Sequence, residues 1–413
     1  MQSYRPHLDW IHDQRDNMAD LLKGWAGINS GSFNPSGLET LAELIAAEFS
    51  QFSETTSLRA AGAHQVINAH GQPHLMPLGK NLHVIQRPAA SQRALLAIHM
   101  DTVYGVDSPF QSVEQLDENT LVGPGVADAK GGIVIMLFAL RALERFLRDS
   151  KQTDFGWEVI LNSDEEIGSP GSFSLFEEAS RRVQLGLLFE PSLPEGKLVS
   201  SRKGSGNFSI VAHGRAAHAG RDFQHGVNAI VASAEVSTQL HRLTGLWDGM
   251  TLNVARIDGG GPSNMVPPIG VIRLNIRYLQ QRHETEILAA IREIAERVTL
   301  RTGVRFELHG HFSSPPKILD AATESMLQHL QTCGRELNLE LDWEPSGGAC
   351  DGNRLAACGI PNVDTLGARG GHLHSHEEFV WIDSLVERAR LTALYLMQLA
   401  DRGASDVAPS SGK

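Results

Sequence analysis

The stretch "RALLAIHMD", residues 93–101, decides the reading of the fold. The apolar run Ala94–Ile98 has the length of a buried strand, and it ends in His99 and Asp101. The same pattern of an apolar run ending in acids recurs in "WEVILNSDEE" (157–166) and "LGLLFEPS" (185–192). Between these runs lie helical periodicities, "GLETLAELIAAEFSQF" (37–52) and "GGIVIMLFALRALERFL" (131–147). In the second of these, Ile133, Met136, Leu137, Leu140 and Leu143 share one face. Such alternation predicts an α/β fold, a mostly parallel sheet covered by helices. In sheets of that kind ligands bind outside the carboxyl ends of the strands.

The pattern changes after "EGKLVSSRKGSGN" (195–207). Alternating strands follow ("FSIVAHG", "TLNVARIDGG", "GVIRLNIRYLQ"), with two helical stretches, 226–243 and 284–300. That mixture predicts a smaller α+β domain over 203–313, inserted into a first domain of residues 1–202 and 314–405. A helix near 320–337 and a final helix from about 383 to 401 complete the first domain, and 406–413 reads as a flexible tail.

At 413 residues, two domains are the natural expectation. A formal net charge of -12 argues against nucleic acid or an anionic membrane surface as partner. The N-terminus lacks the apolar core of a signal peptide, and no run reaches transmembrane length. Cys333, Cys350 and Cys358 form no CxxC pair and read as reduced thiols, so a cytoplasmic location is expected. No GxSxG element is present, which leaves no serine-hydrolase arrangement to consider.

The polar residues at strand ends form a set: His99, Asp101, Asp128 in "GPGVADAKGG", Glu165 and Glu166 in "NSDEEIGS", Glu190 in "LLFEPS" and His374 in "GGHLHSHEEF". Singly each has a bland explanation, since a His-x-Asp is commonly a satisfied polar pair and "DEE" a solvated loop. Together in one α/β domain they would bury many acids, which is costly without a cation. Imidazole and carboxylate are zinc ligands. Residues i and i+2 of a strand share a face, so Asp101 can hold the second ring nitrogen of a metal-binding His99.

In this order the motifs resemble the co-catalytic di-zinc amidohydrolases and exopeptidases, the family of glutamate carboxypeptidase, acetylornithine deacetylase, succinyl-diaminopimelate desuccinylase and aminoacylase. Glutamate carboxypeptidase is the nearest in pattern. The resemblance implies two zinc ions, with cobalt or manganese as substitutes. Asp128 would bridge them, His99 and Glu190 would complete one site, and Glu166 and His374 the other. His372 and His376 compete for the last position, but only His374 has the family's following Ser375 and the acid Glu378 four residues on. Glu165 would be the general base. Glu190, where aminopeptidases of the family have Asp, leans away from recognition of a free amine.

The inserted domain resembles the family's lid and dimerisation domain, which implies a homodimer. "GRAAHAG" would place His218 in the partner's site, helping to hold the scissile carbonyl oxygen. Asn264 and Arg277 would meet the substrate carboxylate, with Lys197 and Asp351 nearby. Arg277 also reads as an ordinary strand charge and Lys197 as a solvated loop residue. "HFSSPPK" (311–317) lacks the arginine that glutamate carboxypeptidase has at this return turn, which weakens glutamate specificity. The expected activity is hydrolysis of an amide bond in a small N-acyl amino acid or peptide with a free carboxylate. The alternatives are an N-acetyl or N-succinyl amino-acid deacylase and, from another class, a metal-binding protein without catalysis.

Overall fold

A computed structural model of the chain describes residues 2–193 and 195–402; the expected tail over 406–413 lies outside the described residues. The opening stretch is the strand Gln92–His99, inside a six-stranded sheet. In spatial order the sheet runs Thr55–Arg59, Asn81–Gln86, Phe155–Asn162, Gln92–His99, Leu185–Leu188 and Asn362–Val363. The first two pairings are antiparallel and the other three parallel. The fold class is therefore mixed α/β, with the parallel pairings together on one side of the sheet and the antiparallel ones on the other. The antiparallel edge was not visible in the apolar runs.

Gln92–His99 is buried along nearly its whole length because both faces are covered. Ala94, Leu96 and Ile98 join a core with the helices Lys130–Ser150 and Ile382–Arg402, whereas Leu95 and Ala97 pack with Leu175, Phe176 and Leu355 on the other face. The helix Lys130–Ser150 leads from this strand to Phe155–Asn162 on one side of it. Phe173–Ser180 then leads back to Leu185–Leu188 on the other side. The carboxyl end of Gln92–His99, where His99 sits, is thus the point where strand order reverses and a crevice opens. Local signals set the helix starts: Asn34 accepts from the Gly37 amide ahead of Pro35–Phe49, and Asp320 from the Thr323 amide ahead of Ala321–Glu336.

Residues 204–314 build a second, antiparallel sheet in the order Thr251–Gly259, Ile269–Tyr278, Gly204–His213, Arg305–Ser314. The helices Ala229–His241 and His283–Thr302 cover one face through Phe208, Ile210, Val236, Ile272, Leu274, Ile287 and Ile291. On the other face Val211 and Val271 pack against Ile67 of the hairpin His64–Ile67/Pro73–Met76, which belongs to the first part of the chain. Among the described residues no helix is long and apolar enough to cross a membrane.

Candidate active site

His99, at the end of its strand, is buried among carboxylates. Its Nε2 lies 3.1 Å from Asp128 Oδ1 and 3.7 Å from Glu190 Oε2. The second oxygen, Asp128 Oδ2, lies 3.2 Å from Nε2 of His374, which is in turn 3.4 Å from Glu166 Oε2. Asp128 therefore faces one imidazole with each oxygen. His99, Asp128 and Glu166 offer ligand atoms that all lie within 4.8 Å of one another. His374 holds a left-handed backbone, φ 61°, as does His372 at 54°. Such conformations are uncommon outside glycine and collect at functional sites. His372 instead meets Glu377 at 3.3 Å, and His376 stacks on Phe110 with ring centroids 5.6 Å apart.

The electrostatics follow from packing these groups together. Burial alone would lower the His99 pKa, but the carboxylates of Asp101, Asp128 and Glu190 outweigh it and hold it well above the usual imidazole range. Contacts with Asp128 and Glu166 push His374 up to about 10. Burial, then the neighbouring acids, raises Glu165, Glu166 and Glu190 above the ordinary carboxylate range.

Two elements hold the acids in place. The carboxylate of Asp101 accepts from the Glu165 amide at 3.0 Å, the Glu166 amide at 3.2 Å and the Ser32 hydroxyl at 2.7 Å. Its contact to His99 is divided: the ring Nδ1 is 2.9 Å from the Asp101 carbonyl oxygen and 3.5 Å from the carboxylate. With Nδ1–H donating to that carbonyl, the neutral form of the ring would turn its Nε2 lone pair towards a cation that displaces the second proton. Glu378, fully buried, accepts from the amides of Ala127 (2.9 Å), Asp128 (3.0 Å) and Gly125 (3.2 Å) and from the Tyr104 hydroxyl (2.9 Å). The spacing from His374 singled Glu378 out, but nothing local in sequence pointed to its three amide donors.

The cavity beside these residues has a volume of about 400 Å³. Arg277, Asp351, Ser205, Asn207, Ser313 and Arg202 are among its walls. Arg277 uses its Nε on Asn275 Oδ1 at 2.9 Å. Asp351 is buried and accepts from Ser169 Oγ and Asn162 Nδ2 at 2.6 and 2.7 Å. His218, Asn264 and Lys197 do not line this cavity. His218 and Asn264 sit together on the ribbon formed by Ala217–His218 and Met265–Val266, where the Ala219 amide donates to the Asn264 carbonyl. Lys197 pairs with Glu344 at 2.7 Å. Behind the cavity wall, Asp364 is buried between Arg202 Nη2 (2.9 Å) and Lys317 Nζ (2.7 Å). The motifs gave no hint of this cluster, although "PNVD" (361–364) has the same acid after a short strand.

A family model described as peptidase family M20/M25/M40 matches residues 95–398. The chain belongs to this family. It is a hydrolase, and carboxypeptidase and deacylase sequences are among its relatives. Carboxypeptidase G2 of Pseudomonas sp. (strain RS-16) is 24% identical over 397 residues, covering 94% of this chain and 90% of the relative. Succinyl-diaminopimelate desuccinylase of Methylobacterium radiotolerans is 29% identical over 294 residues, 67% of this chain and 72% of the relative. Among solved structures, human carnosine dipeptidase 1 superposes with a TM-score of 0.75 at 15% identity, over 96% of this chain and all of that one (100%).

The donor set fits divalent metal. Two imidazoles converge on the two oxygens of one carboxylate, with a further carboxylate beside each. Glu166 Oε1 is buried with no hydrogen-bond partner among the described residues, an acceptor left over for a cation.

Proposed function

We propose that this M20-family hydrolase cleaves the amide bond of a small N-acyl amino acid or peptide bearing a free carboxylate, in the manner of a glutamate carboxypeptidase. The observation that carries the reading is Asp128, one oxygen towards His99 and the other towards His374, with Glu165 lining the same cavity. His99, Asp128 and Glu190 would hold one zinc ion, and Asp128, Glu166 and His374 the other, with cobalt or manganese as substitutes. Such a pair, when bound, polarises a carbonyl and lowers the pKa of water towards about 7.

The residues of the chain supply the rest. Glu165 is the acid in the cluster with no imidazole in contact, and burial raises its proton affinity. That suits a general base that takes a proton from water and passes it to the leaving amine. Arg277, on the cavity wall with Ser205 and Asn207, presents a guanidinium to the substrate carboxylate. His218 and Asn264, away from this chain's own cavity, suit a role in a partner's site, so the active form is a homodimer assembled through residues 203–313. That segment acts as the lid on a catalytic domain of 1–202 and 314–405. Three free cysteines suit a reducing, cytoplasmic setting.

A deacylase of amino-acid biosynthesis would use the same machinery with a different acyl pocket, and the desuccinylase relative favours it as the second reading. The test is hydrolysis of a panel of N-acyl amino acids and C-terminal-glutamate dipeptides by zinc-loaded protein, with Glu165→Gln alongside. Cleavage that needs metal and falls at least about a thousandfold in the variant supports the reading. If both proteins bind two metal ions and neither cleaves anything, the chain is a metal-binding protein and the role of Glu165 is withdrawn.

A further inference from the structure

The Glu165 amide donates to Asp101, whereas among the described residues no hydrogen bond holds the Glu165 carboxylate. Its aim is therefore set by the backbone of the short turn Glu165–Ile167 that bears it. That turn is closed by Gly168 N donating to Glu165 O and Ser169 N to Asp164 O, each at 2.7 Å. Its amino end is fixed from below, where Asp101 accepts the Glu165 and Glu166 amides. Its carboxyl end is Gly168, in a left-handed conformation (φ 90°) that turns the carbonyl away from the helix axis.

That carbonyl accepts from Arg354 Nη2. Arg354 comes from a different element, the helix Asp351–Ala357, and is itself well seated. It is 5% exposed, its Nε is 3.6 Å from Asp351 Oδ1, and its guanidinium lies 4.9 Å from the Phe173 ring centroid. Asp351 in turn accepts from Ser169 Oγ, so helix and turn are joined at two successive residues, Gly168 and Ser169. The guanidinium is planar and delivers several donors in fixed directions, which suits it to hold a carbonyl, a carboxylate and an aromatic face at once.

We propose that Arg354 is a positioning residue for the reaction, the clamp that holds the Gly168 end of the turn and thereby aims the Glu165 carboxylate. This rests on the reading of Glu165 as the general base. Arg354 also borders the cavity, so direct contact with substrate is the rival role. The two roles separate in kinetics: a lost clamp lowers kcat, whereas a lost substrate contact raises KM.

The experiment uses the full chain loaded with zinc, as wild type, Arg354→Ala and Arg354→Lys. Two readouts are taken: hydrogen exchange of the peptide spanning 163–172, and steady-state kinetics on the best substrate. In Arg354→Ala, exchange in 163–172 becomes faster, and kcat falls about ten- to a hundredfold, the scale of a misplacement near 1 Å. KM stays within about twofold of wild type. Arg354→Lys, which keeps a donor and a charge against Asp351, recovers part of both and guards against a variant that merely folds poorly. Unchanged exchange in 163–172, or a rise in KM at constant kcat, overturns the proposal. A wild-type protein without hydrolytic activity would overturn the reading of the site instead, and the exchange data would still judge the clamp.

Discussion

Glu378→Gln tests whether the loop that carries Asp128 is held in place by a single buried carboxylate. A glutamine oriented with Oε1 towards Ala127 and Asp128 keeps both of those bonds. Its amide nitrogen then faces the Gly125 N–H, which is left as a buried donor without an acceptor, while the Tyr104 hydroxyl can rotate to accept. The orphaned amide costs about 1–3 kcal/mol, and loss of charge weakens the two retained bonds by about 1 kcal/mol each. Burial pushes the Glu378 carboxyl up, so removing its charge returns part of this. The net loss is about 2–4 kcal/mol of folding stability. Because the Asp128 amide is one of the donors, the carboxylate facing both imidazoles loses its fixed support, and zinc affinity should fall about 10–100-fold. Urea denaturation of chelator-treated protein gives the first number and calorimetric zinc titration the second. If stability is lost and zinc affinity stays within about twofold, Glu378 supports the fold alone and the coupling to Asp128 is wrong.

Other outcomes follow from groups away from the metal ligands and from the metal itself. Glu158, buried in the strand Phe155–Asn162, is brought down to about 2 because Arg182 and His83 outweigh the opposing effect of burial. Its charge therefore contributes stability above the ordinary carboxylate range and loses it as pH falls through the depressed value. Glu158→Gln should be less stable by about 3 kcal/mol at pH 7, with the gap down to roughly half by pH 3 in urea titrations, and a gap independent of pH would refute this. Asp364→Ala leaves Arg202 and Lys317 buried without their counter-charge and should cost about 3–5 kcal/mol, measured in the same way; a loss under about 1 kcal/mol would show that water or another acid replaces Asp364. Gly71 has φ 74°, and a methyl there would stand 2.6 Å from Val211 Cγ1, so Gly71→Ala should cost about 1–3 kcal/mol and speed proteolysis of the hairpin, whereas wild-type resistance would argue against a tight contact. Removing metal with a chelator should abolish hydrolysis and lower Tm by several degrees, with zinc at about 100 times its Kd restoring roughly 2.7 kcal/mol. An unchanged Tm would mean that these acids are satisfied without a cation.

What was legible in the sequence was whatever a local pattern dictates. Ala94–Ile98 is a continuous apolar run because its strand is covered on both faces, and His99 follows because the strand ends in a crevice. Asp128, Glu166, Glu190 and His374 come together for a similar reason, each lying just past a strand or in a glycine-rich turn. What stayed hidden were bonds between distant segments. Arg354 reaches Gly168 across 186 residues and Glu378 reaches Asp128 across 250. No periodicity encodes such a pairing, and the acceptor at Gly168 is a backbone carbonyl that any residue would have. The antiparallel edge of the main sheet was hidden too, because Thr55–Arg59 is half exposed and lacks an apolar run.

The second sheet shows how one alternation can serve two ends. Ser205, Asn207, Val211, Val271 and Arg277 all point from the face that the helices Ala229–His241 and His283–Thr302 leave uncovered, since odd-numbered positions share that side of both strands. Near one end the face is polar and borders the cavity through Ser205, Asn207 and Arg277. Further along the same strands it turns apolar, and Val211 and Val271 rest on Ile67 of the hairpin. The two regions are rigidly linked, because ladder hydrogen bonds run without a register shift from Gly204 to His213 against Ile269–Tyr278. A translation of this sheet that shifted Arg277 relative to Glu165 would therefore also shift Val211 and Val271 against Ile67. The hairpin, which belongs to neither the main sheet nor the second sheet, thus packs against the sheet that carries Arg277.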